Sequence, residues 1–207
     1  FDMELLDWSE ENPLYEDKLE LKKRQVSALK QVNHVVITSY ARARIFSEIN
    51  KYPIEHISVL PVVPRRREVK VRSKYFREKY DIGDDKTIVI YSGNFRPWAQ
   101  CIEIIESMNL WPPDTVLIMH TWNKAVLDDD YCQQMFIRAK KFPVFFSTDY
   151  LSYEELSIAL SSADIGLLYY EEIDDNFTEI CFSSNKMSEY LASGLPVICS
   201  PFPSLKE

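Results

Sequence analysis

Apolar residues along the chain come in two spacings that take turns. Short unbroken runs, HVVIT at His34–Thr38, TIVIY at Thr87–Tyr91, TVLIM at Thr115–Met119, VFF at Val144–Phe146 and ADIGLL at Ala163–Leu168, are bounded by polar or turn-forming residues. Such runs predict strands buried on both faces, as in a parallel sheet. Between them lie longer stretches in which apolar residues recur every third or fourth position among charges, the pattern of a helix with one buried stripe. Pro13–Lys30 carries Leu14, Leu19, Leu21, Val26 and Leu29 in this way, and Ser39 offers a cap for a helix reaching about Asn50. A strand over His56–Val63 follows Pro53, and further helices are expected over Ser73–Tyr80, Ala99–Met108, Asp130–Lys140 and Tyr153–Ser162. Helix and strand alternating throughout predict an α/β fold of doubly wound parallel sheets with helices on both faces, in two successive units.

The stretch Ser183–Ser200, SSNKMSEYLASGLPVICS, is the one whose pattern also names a chemistry. Ser183, Ser184 and Asn185 are all good first residues of a helix, Gly194 is a good last one, and Pro196 forbids continuation. Met187, Tyr190 and Leu191 share the predicted apolar face, and Glu189 sits about 200° around the helix from Met187. A helix start presents free amides and a positive dipole end to phosphate. A carboxylate one turn in can accept from both vicinal hydroxyls of a ribose. Spacing equally allows a solvated pair between Lys186 and Glu189 on a surface helix. Two further candidates stand at strand ends. Gly93, followed by Asn94 and Arg96, would let a ligand approach the backbone after TIVIY. His120, after TVLIM, either bonds a ligand or is a packed neutral imidazole.

Composition narrows the partners. A net charge of −8 over 207 residues argues against a nucleic-acid binder, although Arg65–Lys79 concentrates eight cations against two acids. That cluster is either a solvated linker and helix face or a basic lip that attracts a diphosphate or the headgroups of anionic lipids, a peripheral membrane contact. Four scattered cysteines without a CxxC pair suggest free thiols in a reducing, cytoplasmic compartment, and three separated histidines suggest no metal site. No apolar run approaches the ~20 residues of a membrane span, and no secretory leader is visible. Beginning at Phe1 and stopping soon after a strand, the chain is expected to be a fragment.

The segment SSNKMSEYLASGLPVI resembles the donor-site segment of retaining GT-B glycosyltransferases of family 4, which often read S/P-N-K-L-x-E-Y-x-A-x-G-x-P-V-I. Asp149–Leu156, DYLSYEEL, is similar to that family's G-Y-L-P-Y-E-E-L, and Ala163–Leu168 to its A-D-x-x-L strand. The resemblance implies a truncated GT-B architecture: residues 1–72 would end the acceptor-side domain and its linker, and 73–207 would form most of the donor domain. It implies transfer of a sugar from a UDP- or GDP-sugar, without metal, to a saccharide or lipid-linked acceptor in cell-surface polysaccharide synthesis. On this basis Glu189 would hold the ribose, and Ser183, Ser184, Asn185 and Lys186 would belong to the donor site. Gly93, Asn94 and Arg96 would meet the diphosphate, and the backbone of Tyr150 and Leu151 would read the base. The sequence departs from the family at Cys181, where a second glutamate is usual, and after Arg96, where a lysine is usual. No catalytic residue is assigned. A nucleotide-sugar epimerase of the same fold and a non-catalytic nucleotide-sugar binder are the alternatives.

Overall fold

The computed structural model describes Leu5 and residues 16–64, 72–124 and 127–205. The chain forms two units, and it passes between them more than once. The first draws its described residues from Phe1–Val62, Glu172–Ser184 and Pro201–Glu207, and the second comprises Val63–Glu171 and Asn185–Ser200.

In the first unit, β1 (Val35–Ile37) and β2 (Ile57–Val59) pair in parallel, with Val35 opposite Ile57. Helix α1 (Glu16–Leu29) precedes them, and α2 (Tyr40–Asn50) connects them. Ser39 caps α2 as expected, its hydroxyl accepting from the Arg42 amide at 3.2 Å. Leu5, Ile37, Ala43, Phe46 and Tyr52 form the core. The second strand is shorter than its apolar run. Leu60 still donates to Ile37, but Pro61 has no amide to offer and ends the ladder. The acidic stretch after β6 contains a short helix, α7 (Asp175–Thr178), capped by Asp174. Arg42 is buried and holds this stretch, donating to the carbonyls of Asn176 and Glu179 and to Asn176 Oδ1.

The second unit is a five-stranded parallel sheet in the order β5-β4-β3-β6-β7. Its strands are β3 (Thr87–Ser92), β4 (Thr115–His120), β5 (Val144–Ser147), β6 (Ile165–Leu168) and β7 (Val197–Cys199). Alternate residues along a strand face opposite ways, and both faces here are covered. Val89, Tyr91, Leu117 and Met119 pack with α4 (Cys101–Ser107) and α5 (Asp130–Ala139). Ile88, Ile90, Val116 and Ile118 pack against the other helices: Phe76 of α3 (Tyr75–Tyr80), Ala159 and Leu160 of α6 (Tyr153–Ser161), and Tyr190 of α8 (Asn185–Ala192). A Cβ on Gly166 would lie 2.6 Å from the Tyr190 ring, so glycine in β6 is what lets α8 seat against the sheet.

One predicted helix is divided. Pro97–Ala99 forms a 3-10 turn, and α4 starts only after Gln100, whose left-handed backbone (φ 52°) re-aims the chain. The sheet order places the site. From β3 the chain builds outward through β4 to β5, then returns to lay β6 on the other side of β3. Between β3 and β6 the winding reverses, and in open α/β sheets the crevice outside the carboxyl ends of the strands at such a point is where ligands bind. Among the described residues no helix is long and apolar enough to cross a membrane.

Candidate functional site

At the carboxyl end of β3 two buried phenols fix the loop. The Ser92 amide donates to Tyr190 Oη at 2.7 Å, and Tyr91 Oη donates to the Asn94 carbonyl at 2.8 Å. The Gly93 amide continues the ladder to the His120 carbonyl at 2.9 Å. The loop is thus rigid, and its one residue without a side chain is Gly93. A Cβ there would lie 3.0 Å from Lys186 Cε, 3.1 Å from Lys186 Nζ and 3.2 Å from Tyr91 Oη.

Lys186, at the start of α8, is the unexpected element. Its stem keeps some exposure, but Nζ is sealed from solvent and has no hydrogen-bond partner among the described residues. The nitrogen lies 4.0 Å from the ring centre of Tyr91 and 5.0 Å from that of Tyr170. Burial pushes the amine down to about 7. A solvated pair with Glu189, the plain expectation for a surface helix, is therefore not what Lys186 forms. Leu191, expected on the buried face of α8, is 56% exposed instead. The inward face turns through Tyr190 toward Lys186, because the tyrosine ring fills the place over Gly166.

The other cation of the site is engaged. Arg96 Nη1 donates to Asp129 Oδ2 at 2.8 Å, with both side chains partly exposed. The same carboxylate caps α5 by accepting from the Cys132 amide at 2.9 Å. That amide bond, more than Arg96, holds Asp129 below the usual carboxylate range. His120 is buried, with Nδ1 3.1 Å from Ser147 Oγ, and burial lowers its basicity, so the packed neutral imidazole is what the fold holds.

Asp149, at the end of β5, accepts from Lys79 Nζ at 2.6 Å, and that bond keeps its carboxyl low. Tyr150 beside it is 78% exposed, and Leu151 packs on the α6 side of the core. Ser152 caps α6 in a reciprocal box with Glu155. Glu189 is half-buried and lines a small groove with Pro64, Tyr153, Leu156, Ser157 and Ala192. Asn185 is exposed; Ser183 and Ser184 are buried in the first unit, where Ser183 bonds the Thr38 hydroxyl.

The described members of the basic cluster are all paired. Arg72 and Arg77 reach Asp164, Lys74 reaches Asp84, and Lys79 reaches Asp149. Arg65, Arg66, Arg67 and Lys70 lie outside the described residues. Among the described residues no group of three or more His, Cys, Asp or Glu side chains could hold a metal ion. The tyrosines around Lys186 escaped the sequence reading, yet they left a signal: Tyr91 sits at the end of β3, and Tyr170 follows just after β6. Those are the two strands at the winding reversal.

No protein-family model matches the chain, and no curated protein matches it in sequence. Solved structures do match its fold. WaaG, a glycosyltransferase involved in lipopolysaccharide biosynthesis, superposes with a TM-score of 0.62 at 15% identity, covering 93% of this chain and 52% of its own. HepE from Anabaena, solved in complex with UDP, gives 0.66 at 12% identity, covering 95% and 52%. A UDP-forming α,α-trehalose-phosphate synthase from Burkholderia xenovorans, in complex with glucose-6-phosphate, gives 0.61 at 11% identity, covering 91% and 51%. The chain therefore has the fold of part of a GT-B glycosyltransferase and spans about half the length of the structures it matches.

Proposed function

We propose that this chain binds a nucleoside diphosphate sugar at the carboxyl end of β3 and serves transfer of that sugar to a saccharide or lipid-linked acceptor. The observation that carries the reading is the amine of Lys186 behind Gly93 at the winding reversal of the sheet, sealed and unpartnered among the described residues. A buried ionisable group without a partner is costly, and proteins keep such groups where a ligand supplies what is missing. A diphosphate is the matching partner. It brings the acceptor oxygens that Lys186 lacks, and α8 adds a dipole of the right sign.

The remaining residues fall into place around it. Glu189, one turn along α8, takes the ribose hydroxyls, and the backbone of Tyr150 and Leu151 reads the base. Gly93 and Asn94 form the floor, and His120 stiffens it from below. During transfer the departing nucleoside diphosphate gains negative charge, and a cation fixed in a low-dielectric setting stabilises that charge without reorganising. No side chain is assigned as nucleophile or base. The unit of residues 63–171 and 185–200, which holds Lys186 and the loop after β3, belongs on the donor side, and the unit that begins with residues 1–62 on the acceptor side. The UDP and UDP-glucose held by HepE support the ligand class as a likeness of fold.

Calorimetric titration with UDP, GDP and ADP beside uridine, guanosine and adenosine tests the reading. One diphosphate should bind at least about tenfold more tightly than its nucleoside, a difference of ~1.4 kcal/mol. Equal affinity for nucleotide and nucleoside, or no binding of any of the six, overturns it.

A further inference from the structure

Lys186 presents a problem that the donor site alone does not solve. An ammonium has three hydrogens to donate, and among the described residues none finds an acceptor. Among the described residues, the groups packed closest on the nitrogen are aromatic faces and a thiol. From β3 it faces the phenol of Tyr91, which burial holds well above its ordinary range. From the α4 side comes the Cys101 thiol, pushed by burial up to about 11. From beyond β6 comes the face of Tyr170. On its own helix are Tyr190, whose phenol is also raised by burial, and Glu189 in the groove toward α6. Arg96, the other cation of the loop, is engaged by Asp129. The thiol and the buried phenols of Tyr91 and Tyr190 stay uncharged across the neutral range, which leaves the amine as the titrating group of the cage.

We propose that Lys186 is a proton-coupled ligand for the donor diphosphate: neutral and folded between two tyrosine rings in the empty site, and an ammonium once the diphosphate is bound. The inference rests on the donor-site reading above and adds to it the charge state through which Lys186 acts. The cage is suited to both states. Its aromatic faces accept an uncharged amine by packing and attract a charged one through their quadrupoles. Gly93 keeps the approach short, since any side chain there would press on Lys186 itself. With its amine pushed down to about 7, Lys186 stands close to the point where a modest field changes its protonation. A diphosphate supplies such a field, raising the proton affinity of a nearby amine.

The consequence is a measurable proton. At about pH 8 the empty site is mostly deprotonated, so binding of a nucleotide sugar takes up nearly one proton from solution, and affinity falls roughly twentyfold between about pH 6.5 and 8.5. UDP-glucose, GDP-mannose and ADP-glucose are suitable probes because their diphosphates are diesters that do not titrate in this range. Titrations in buffers of different ionisation enthalpy count the proton directly. Lys186→Met should remove both the uptake and the pH dependence, leaving weaker binding that is flat with pH. A variant that fails to fold leaves a second measurement on the unaltered protein: the 13Cε resonance of Lys186 should titrate near neutral pH when the site is empty and well above it when loaded.

Binding with no proton uptake and a flat pH profile would overturn the proposal while leaving the donor reading standing. Uptake that survives in Lys186→Met would overturn it as well, by assigning the proton elsewhere. Failure of all three nucleotide sugars to bind at any pH from about 6 to 9 would instead remove the donor reading, and this inference with it.

Discussion

The loop after β3 and the start of α8 each bring one cation to the same end of the sheet, and the two are opposites. Arg96 is partly exposed, and its charge is met by Asp129 at 2.8 Å. The Lys186 nitrogen is sealed, caged by aromatic rings and without a hydrogen-bond acceptor among the described residues. Arg96 has the better address in sequence, three residues beyond Gly93 in a loop of the right kind. Lys186 has the worse address and the greater need for a partner. The difference teaches that a cation is read as a phosphate ligand by what it lacks in the empty fold, more than by where it falls in a motif.

The largest expected effect tests that contrast through stability. The unfolded chain holds the Lys186 proton up to its ordinary value near 10.4, whereas the folded chain releases it at about 7. Between those values the unfolded state binds more protons, so the wild-type protein gains stability as pH rises from neutral toward 10. Lys186→Met removes the group. It should stabilise the fold by roughly 2 to 4 kcal/mol at or below pH 7, with the advantage shrinking toward pH 10. Urea melts across that range measure it. A variant less stable than wild type at pH 7 would mean that the lysine is structural, and the contrast with Arg96 would collapse.

Next in size is Glu189→Ala. Hydrogen bonds to a charged group are worth about 1.5 to 3 kcal/mol, or roughly 10- to 150-fold in affinity for a nucleotide that keeps its ribose hydroxyls. Against a 2′,3′-dideoxynucleotide the variant and the wild type should bind alike. Calorimetry with both nucleotides sharpens the comparison by showing whether α8 serves the ligand with one residue or with two.

Smaller effects are expected at the other cation. Because Asp129 already answers Arg96, Arg96→Ala should weaken UDP-sugar binding by only about threefold, and stability by less than ~1 kcal/mol. Asp129→Asn releases the guanidinium, and donor affinity should tighten severalfold at low ionic strength. An Arg96→Ala loss exceeding that of Lys186→Met would reverse the ranking of the two cations.

How much of this was legible in sequence depended on whether a feature was local. The strands at Thr87–Ser92 and Thr115–His120 follow their apolar runs to within a residue, because a strand buried on both faces has nothing else to be. Ser39 was readable as a helix cap for a similar reason, since a cap closes within three residues. The interior of α8 was not. Met187, Tyr190 and Leu191 define a face by spacing, yet the face that packs is set by Gly166, which admits the Tyr190 ring and swings Leu191 outward. Lys186 looked solvated because lysine usually is; its cage comes from Tyr91 and Tyr170, which are near it only in the fold. His120 likewise awaited the partner that Ser147 supplies across β4 and β5.

The repeated passage of the chain between its two units has a practical consequence for taking the molecule apart. It crosses at 62–63, 171–172, 184–185 and 200–201. A protease that cuts any one of these junctions leaves three covalent tethers intact, so a nicked molecule would migrate whole under native conditions. No pair of expression boundaries yields either unit as an uninterrupted polypeptide. The smallest faithful piece for dissecting the site is one in which every tether is kept, and a shortened version would require the ends to be rejoined in a new order.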